Sequence, residues 1–449
     1  MELQLQPRPS RPPLRFRTQT LLAACLWTAA AAGLRAQTQW TVDDSGGSQF
    51  TSLQAAIDAA SPGDVLKIKP GNYGDVVLTK RLRLLGEPPE PSGSLPRLLS
   101  LDIRSPSAFS LSHLEVRRLR VSSVANRSEI DRCVLGGGSP WGSAGGLPPG
   151  WTPVLLHGAQ DLLISRSATP LPPPVTPADS SATGLAGMVI EAGSTVQLVQ
   201  CSVLGGDALQ NTSGWFSGWG GTGLEVKQAS RVWLVDTSVT GGDGEDLDVP
   251  LGPQEQGIGG TGLELSGGST VDARGTPQHQ IRGGYPMGAS SPIGPAVEAG
   301  GASTLLLHVN GVALNGTVPT TSGAAWLQIS GFTPPRLLLE GPSSPGSLVK
   351  ARVYGSASPG GLPVVLFANL TPALIELPGL LLGTPAFTDP SQVIYQAVQT
   401  ITNPSTPADF PFTLPSNPAF TGLRVHLQAV QVWPGALYGS NLQAFVLTW

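Results

Sequence analysis

Ser52-Leu53-Gln54-Ala55-Ala56-Ile57-Asp58-Ala59-Ala60-Ser61-Pro62-Gly63-Asp64, with Val65-Leu66-Lys67-Ile68-Lys69-Pro70-Gly71-Asn72-Tyr73 directly after it, sets the architecture of this chain. Ser52 is placed to cap a short helix on which Leu53, Ala56, Ile57 and Ala60 share one face. Ser61-Pro62-Gly63-Asp64 stops that helix with turn chemistry. Val65 to Ile68 reads as a short strand, Pro70 to Tyr73 as a turn and Val76-Val77-Leu78 as a second strand. Leu82, Leu84 and Leu85 supply a third strand, which ends at Gly86. Short strands joined by such tight corners have the dimensions of one coil of a parallel β-solenoid.

Further along, the sequence repeats itself. Val196-Gln197-Leu198-Val199-Gln200-Cys201-Ser202-Val203-Leu204-Gly205-Gly206-Asp207 returns as Val232-Trp233-Leu234-Val235-Asp236-Thr237-Ser238-Val239-Thr240-Gly241-Gly242-Asp243, 36 residues later. Upstream of each copy lies a second strand, Gly187-Met188-Val189-Ile190-Glu191 and then Gly223-Leu224-Glu225-Val226. Further copies read at Gly262-Leu263-Glu264-Leu265 with Ser269-Thr270-Val271, and at Ala296-Val297-Glu298 with Leu305-Leu306-Leu307. A bare coil needs roughly 20–25 residues, within the repeat lengths typical of solenoids. Each of these copies therefore carries an extra loop, and loops inserted at one repeat position should leave the solenoid on one side.

The opening run from Leu53 to Asp64, followed by Ile68 to Tyr73, resembles the start of pectin-lyase-like right-handed parallel β-helix proteins. The resemblance implies that the helix plugs the first coil, where unpaired backbone groups would otherwise be exposed. Its specific part covers about 40 residues, and the next 250 follow by pattern alone. The expected class is all-β: a right-handed parallel β-helix over residues 37–330, then a C-terminal β-sandwich over 331–449. Longer strands between Pro and Gly turns mark that last region. Pro415 to Gln428 also resembles the C-terminal modules of many secreted bacterial proteins.

Residues 1–36 read as an export signal. Arg8, Arg11, Arg15 and Arg17 precede an apolar run from Leu21 to Ala32, and Leu34-Arg35-Ala36 resembles a cleavage site. Its removal takes away five Arg and one Glu, moving the net charge from −4 to about −8. The expected destination is the cell exterior or surface, with no membrane span. An acidic chain of this kind does not suit nucleic acid as a partner, so the expected one is an extracellular polysaccharide or an envelope component. Only 12% of residues are charged, which matches turn-rich β structure rather than long charged helices. Cys133 and Cys201 remain after the signal, too few for a disulfide framework. Stacking as two small buried residues and forming one bridge are both open readings.

Three groups of residues could carry function. Glu191, Glu225, Glu264 and Glu298 recur once per copy, and aligned carboxylates would bind a cation, catalyse, or stand in water. Glu225, Glu264 and Asp236 are the residues to suspect in a polysaccharide lyase or glycoside hydrolase. Trp215, Phe216 and Trp219, in a Gly-rich loop, could stack on sugar rings or pack onto the solenoid wall. Asp243, Glu245, Asp246 and Asp248 could hold Ca²⁺, the one cofactor considered, although their spacing is not that of an EF-hand. Against catalysis, the five His include no His-x-x-x-His pair, and there is neither a Gly-x-Ser-x-Gly elbow nor a phosphate loop. The leading expectation is a non-catalytic display scaffold; an enzyme and a structural envelope component are the alternatives.

Overall fold

The computed structural model describes residues 38–446, except 88–92, 105–107, 126, 137–151, 171–183, 209–218, 245–256, 287–292, 309–311, 318–319, 323–324, 330–334, 341–345, 356–360, 370–371, 376–380, 384–385, 389–392, 404–405, 415–423 and 434–435. The proposed signal at 1–36 therefore lies outside the described residues, as do Trp215, Phe216, Glu245, Asp246 and Asp248. No helix among the described residues is long and apolar enough to cross a membrane.

The opening segment forms the elements its side chains dictate. A helix, α1, spans Leu53–Ala59, and the Ala55 amide donates to the Ser52 hydroxyl at 3.4 Å. Leu53, Ala56 and Ile57 are its buried face. Lys80 donates to the carbonyls of Ile57, Asp58 and Ala60 at 2.7 to 3.1 Å, so a cation satisfies the C-terminal end of the helix. Gln54 bonds both the amide and the carbonyl of Val77, tying α1 to the strand Asn72–Leu78.

Beyond this point the chain cycles through three rows of short parallel strands. Row A is an 11-stranded sheet that starts at Gln39–Val42 and Val65–Ile68 and ends at Ala325–Ile329. Rows B and C form one 16-stranded sheet, joined by the long strand Arg97–Ile103. The first half of that strand pairs with Glu115–Val116 in row B, and its second half with Leu119–Ser122 in row C. From Ser110–Ser112 onward the order is always A, then B, then C. The all-β class and its long parallel sheets thus agree with the sequence reading.

The rows stack like residues on like. Ile130, Ile164, Leu198, Leu234 and Ala273 occupy successive positions of row A and point into one continuous core. Each such buried Leu or Ile contributes about 1.5–3 kcal/mol. The corners carry their own ladders. Between rows C and A, buried Ser194, Ser230 and Ser303 hydroxyls accept the amides of Ala159, Ser194 and Ser269 at 3.0 to 3.2 Å. Between rows A and B, Cys133, Ser167, Cys201 and Thr237 follow one another, with the Ser167 and Thr237 hydroxyls accepting the two cysteine amides. Both cysteines are buried free thiols, and burial pushes each up to about 12. The stacked reading of the cysteines is the one the structure adopts.

From Arg336–Glu340 onward the pairing is antiparallel, except that Leu381–Gly383 runs parallel to Ala436–Val446. A three-stranded sheet and a five-stranded sheet share one apolar core that includes Leu337, Val353 and Phe410 from the first and Val364, Leu366 and Leu427 from the second. This region closes over the outer face of row A. Outward-pointing Glu129, Gln197, Trp233, Asp272 and Arg274 are all buried. His426 Nε2 meets Glu129 at 3.0 Å, Arg336 pairs with Asp236, and Arg336 also lies 4.8 Å over the Tyr354 ring.

Candidate functional site

The insertions leave from a single corner. They run from Leu135 to Val154, Thr169 to Met188, Leu204 to Leu224, Thr240 to Leu263 and Arg282 to Val297, each between a row B strand and the next row C strand. The sequence expectation that they share one side holds for the described strands that bear them.

Their roots are built of glycine. Gly206, Gly221, Gly242, Gly260, Gly284 and Gly294 each donate an amide to the previous leg, at 2.7 to 2.9 Å, the first to Leu185. Legs leaving row B and legs returning to row C alternate along this chain of bonds. They approach so closely that a Cβ on Gly242 would land on the Gly206 carbonyl, and one on Gly284 on the Gly242 carbonyl. Asp207 and Asp243 continue the order outward: the Asp243 amide donates to the Asp207 carboxylate, and the Tyr285 amide to that of Asp243, both at 2.7 Å. Burial, with the Asp243 charge close by, pushes the Asp207 carboxyl up. Asp243 is therefore a brace between loop roots.

Beside these roots lies a groove of about 340 Å³, lined by Trp219, Ile258, Thr222, Glu225, Glu298 and the glycine legs. Trp219 is 54% exposed and Ile258 38%. The Gly220 amide donates to the Ile258 carbonyl, so these two residues stand on consecutive returning legs. Glu225, Glu264 and Glu298 stack in register along row C. Lys227 contacts Glu225 at 2.5 Å. Glu264, the middle carboxyl, is pushed up by burial and then by Glu225 and Glu298, while Lys227 and a Thr222 hydrogen bond act the other way. Burial lowers Lys227, but the bond to Glu225 and the surrounding carboxylates outweigh it and hold its pKa above the ordinary value.

Two of the sequence-derived groups thus meet: Trp219 and the Glu225–Glu264–Glu298 row. Two expectations need correction. Glu191 does not belong to the row, because Met188 pairs with Leu224 and so places Val189, not Glu191, beside Glu225. Glu191 instead aligns with His157, which it meets at 3.0 Å. Asp236 is far from a shared role with the glutamates. It sits at the corner after row A, buried, with Arg336 and with His279 at 3.5 Å. Among the described residues no three His, Cys, Asp or Glu side chains are grouped to hold a metal ion.

The glycine chain of hydrogen bonds was not anticipated, although its signal was present in the pairs Gly205-Gly206, Gly220-Gly221, Gly241-Gly242, Gly259-Gly260 and Gly283-Gly284. No protein-family model, curated protein or solved structure matches this chain.

Proposed function

We propose that this chain is a secreted, right-handed parallel β-helix of the pectin-lyase-like kind, with a C-terminal β-sandwich, that binds carbohydrate through its loop-root groove without chemical turnover. The observation that carries this reading is Trp219 standing exposed in the same groove as an in-register row of carboxylates. A flat aromatic ring covers the apolar face of a sugar, and carboxylates accept hydrogen bonds from hydroxyl groups at its edge. Three stacked glutamates repel polyuronates, so a neutral or amine-bearing glycan suits the groove. The test is affinity electrophoresis of the purified protein in gels containing neutral β-glucan, chitosan or polygalacturonate. Retardation by either of the first two, abolished by Trp219→Ala, is expected. Retardation by polygalacturonate alone sinks the reading.

One observation favours a second reading. Burial and then the Glu225 charge push the Glu264 carboxyl up, and a raised carboxyl is what a glycoside hydrolase uses as its general acid. Release of reducing ends from a neutral glycan, lost in both Glu264→Gln and Glu225→Gln, would establish that enzyme. If no glycan binds and the protein stays with the envelope, a structural role takes its place.

A further inference from the structure

The corner after row A carries one residue per rung in the left-handed backbone region: His113, Arg132, Arg166, Gln200 and Asp236, with φ between 46° and 55°. The strand register aligns them, since Ser112, Asp131, Ser165, Val199 and Val235 immediately before them are successive partners. The ladder is therefore cationic at one end and anionic at the other, with neighbours about 4.8 Å apart. The two ends are treated differently. Asp236 at the anionic end receives Arg336 from the antiparallel region. The cationic end receives one carboxylate, Asp131, for two guanidinium groups.

That carboxylate is already occupied. Arg166 takes both its oxygens, Nε to Oδ1 at 2.9 Å and Nη2 to Oδ2 at 2.8 Å, and the Ser165 hydroxyl adds a third bond at 2.8 Å. Arg132 on the neighbouring rung is half-buried and forms no ion pair or side-chain hydrogen bond among the described residues. Burial and the Arg166 charge both disfavour its protonated form, and the pull of Asp131 is the smaller effect. His113, one rung further, binds the Ser112 hydroxyl at 2.7 Å through Nδ1, leaving Nε2 for another partner. A planar five-donor fork held in this setting is suited to an oxygen anion.

We propose that Arg132, flanked by His113 and Arg166, is a binding site for a small oxyanion group, a carboxylate or a sulfate. It is separate from the acidic groove and does not depend on that groove's function. The anion would sit on the Arg132 fork and supply the negative charge that Asp131 cannot give to both arginines.

Thermal unfolding of the full chain in sodium sulfate, against sodium chloride of equal ionic strength, tests this. Sulfate at ten times its dissociation constant should raise the melting temperature by about 2 °C over the chloride control. Arg132→Gln should lose that difference, yet melt no lower than the wild type without sulfate, because it removes a like-charge neighbour of Arg166. Arg132→Lys keeps the charge without the fork and should lose most of the response while folding as the wild type does. An equal sulfate response in wild type and variants would mean only general exclusion of sulfate from protein surfaces and would overturn the site. So would an Arg132→Gln protein that melts several degrees lower in chloride, since Arg132 would then serve the fold. Galacturonate monomer and oligomer, run in parallel, separate the sources: equal responses point to a free anion, and a stronger response to the oligomer points to a group on a glycan.

Discussion

The same rungs present one flank that is sealed and another that is open. On the outer face of row A even Gln197 and Arg274 are about 1% exposed, and charges there are paired, Arg274 with Asp272 and Glu129 with His426. At the corner between rows B and C, Trp219 and Ile258 face solvent above a floor of glycine backbone. Sealing a polar strand face needs a partner for each charge, because a lone buried charge is costly. Opening a corner for insertions needs something else: legs from adjacent rungs must pass one another, and only residues without a side chain let them do so.

The largest expected break is on the sealed flank. Asp236→Ala leaves Arg336 buried without its carboxylate and should cost about 3–5 kcal/mol, read from the urea midpoint. Adding Arg336→Met should recover much of that loss. A single variant within 1 kcal/mol of wild type would show that the flank is sealed by other contacts.

On the open flank, Gly242→Val drives a side chain into the neighbouring carbonyl and should cost about 1–3 kcal/mol. Gly74→Ala is the control, since nothing lies near its added Cβ, and it should stay within about 0.5 kcal/mol. Equal effects of the two would mean that the glycine floor is not close-packed.

Trp219→Ala should separate stability from binding. Its unfolding midpoint should hardly move, because the ring is more than half exposed, while affinity for the retained glycan falls about tenfold. Loss of stability without loss of binding would place Trp219 in the wall.

The smallest effect concerns pH. The folded pKa of Glu264 lies above its ordinary value of 4.5, so the folded chain binds this proton more readily than the unfolded one. Its contribution to stability therefore grows as pH falls through the folded pKa towards 4.5, and is lost as pH rises. Stability of Glu264→Gln should be flatter than wild type over that window. A steeper profile would mean that the glutamate row does not crowd its middle member.

Much of this contrast was legible in the sequence, and its failures have local causes. Ser52, the apolar face of α1 and the 36-residue repeat act through neighbours along the chain or through an in-phase copy, so pattern alone finds them. Glu191 was placed in the wrong row because its copy was aligned by carboxylates, whereas register follows the inward Met188 and Ile190 against Leu224 and Val226. Gln197 and Asp272 stand on the outward face of row A and are nevertheless buried. Glu129 on the same face is met by His426, 297 residues further along the chain, which no local alternation of polar and apolar residues encodes. The candidate site was legible as pieces, Trp219 and two glutamates, but their meeting in one groove depends on where each insertion returns.

The row that holds Cys133 and Cys201 has a consequence for the covalent life of the molecule. Ser167 stands between the two thiols, so they lie two rungs apart, roughly 9–10 Å, beyond the reach of a disulfide. Neither ionises near neutral pH, so neither attacks an oxidant or a neighbouring disulfide. For Cys133 and Cys201, then, a change from a reducing to an oxidising environment leaves the bonding as it is: this part of the molecule is redox-neutral, its shape set by rungs.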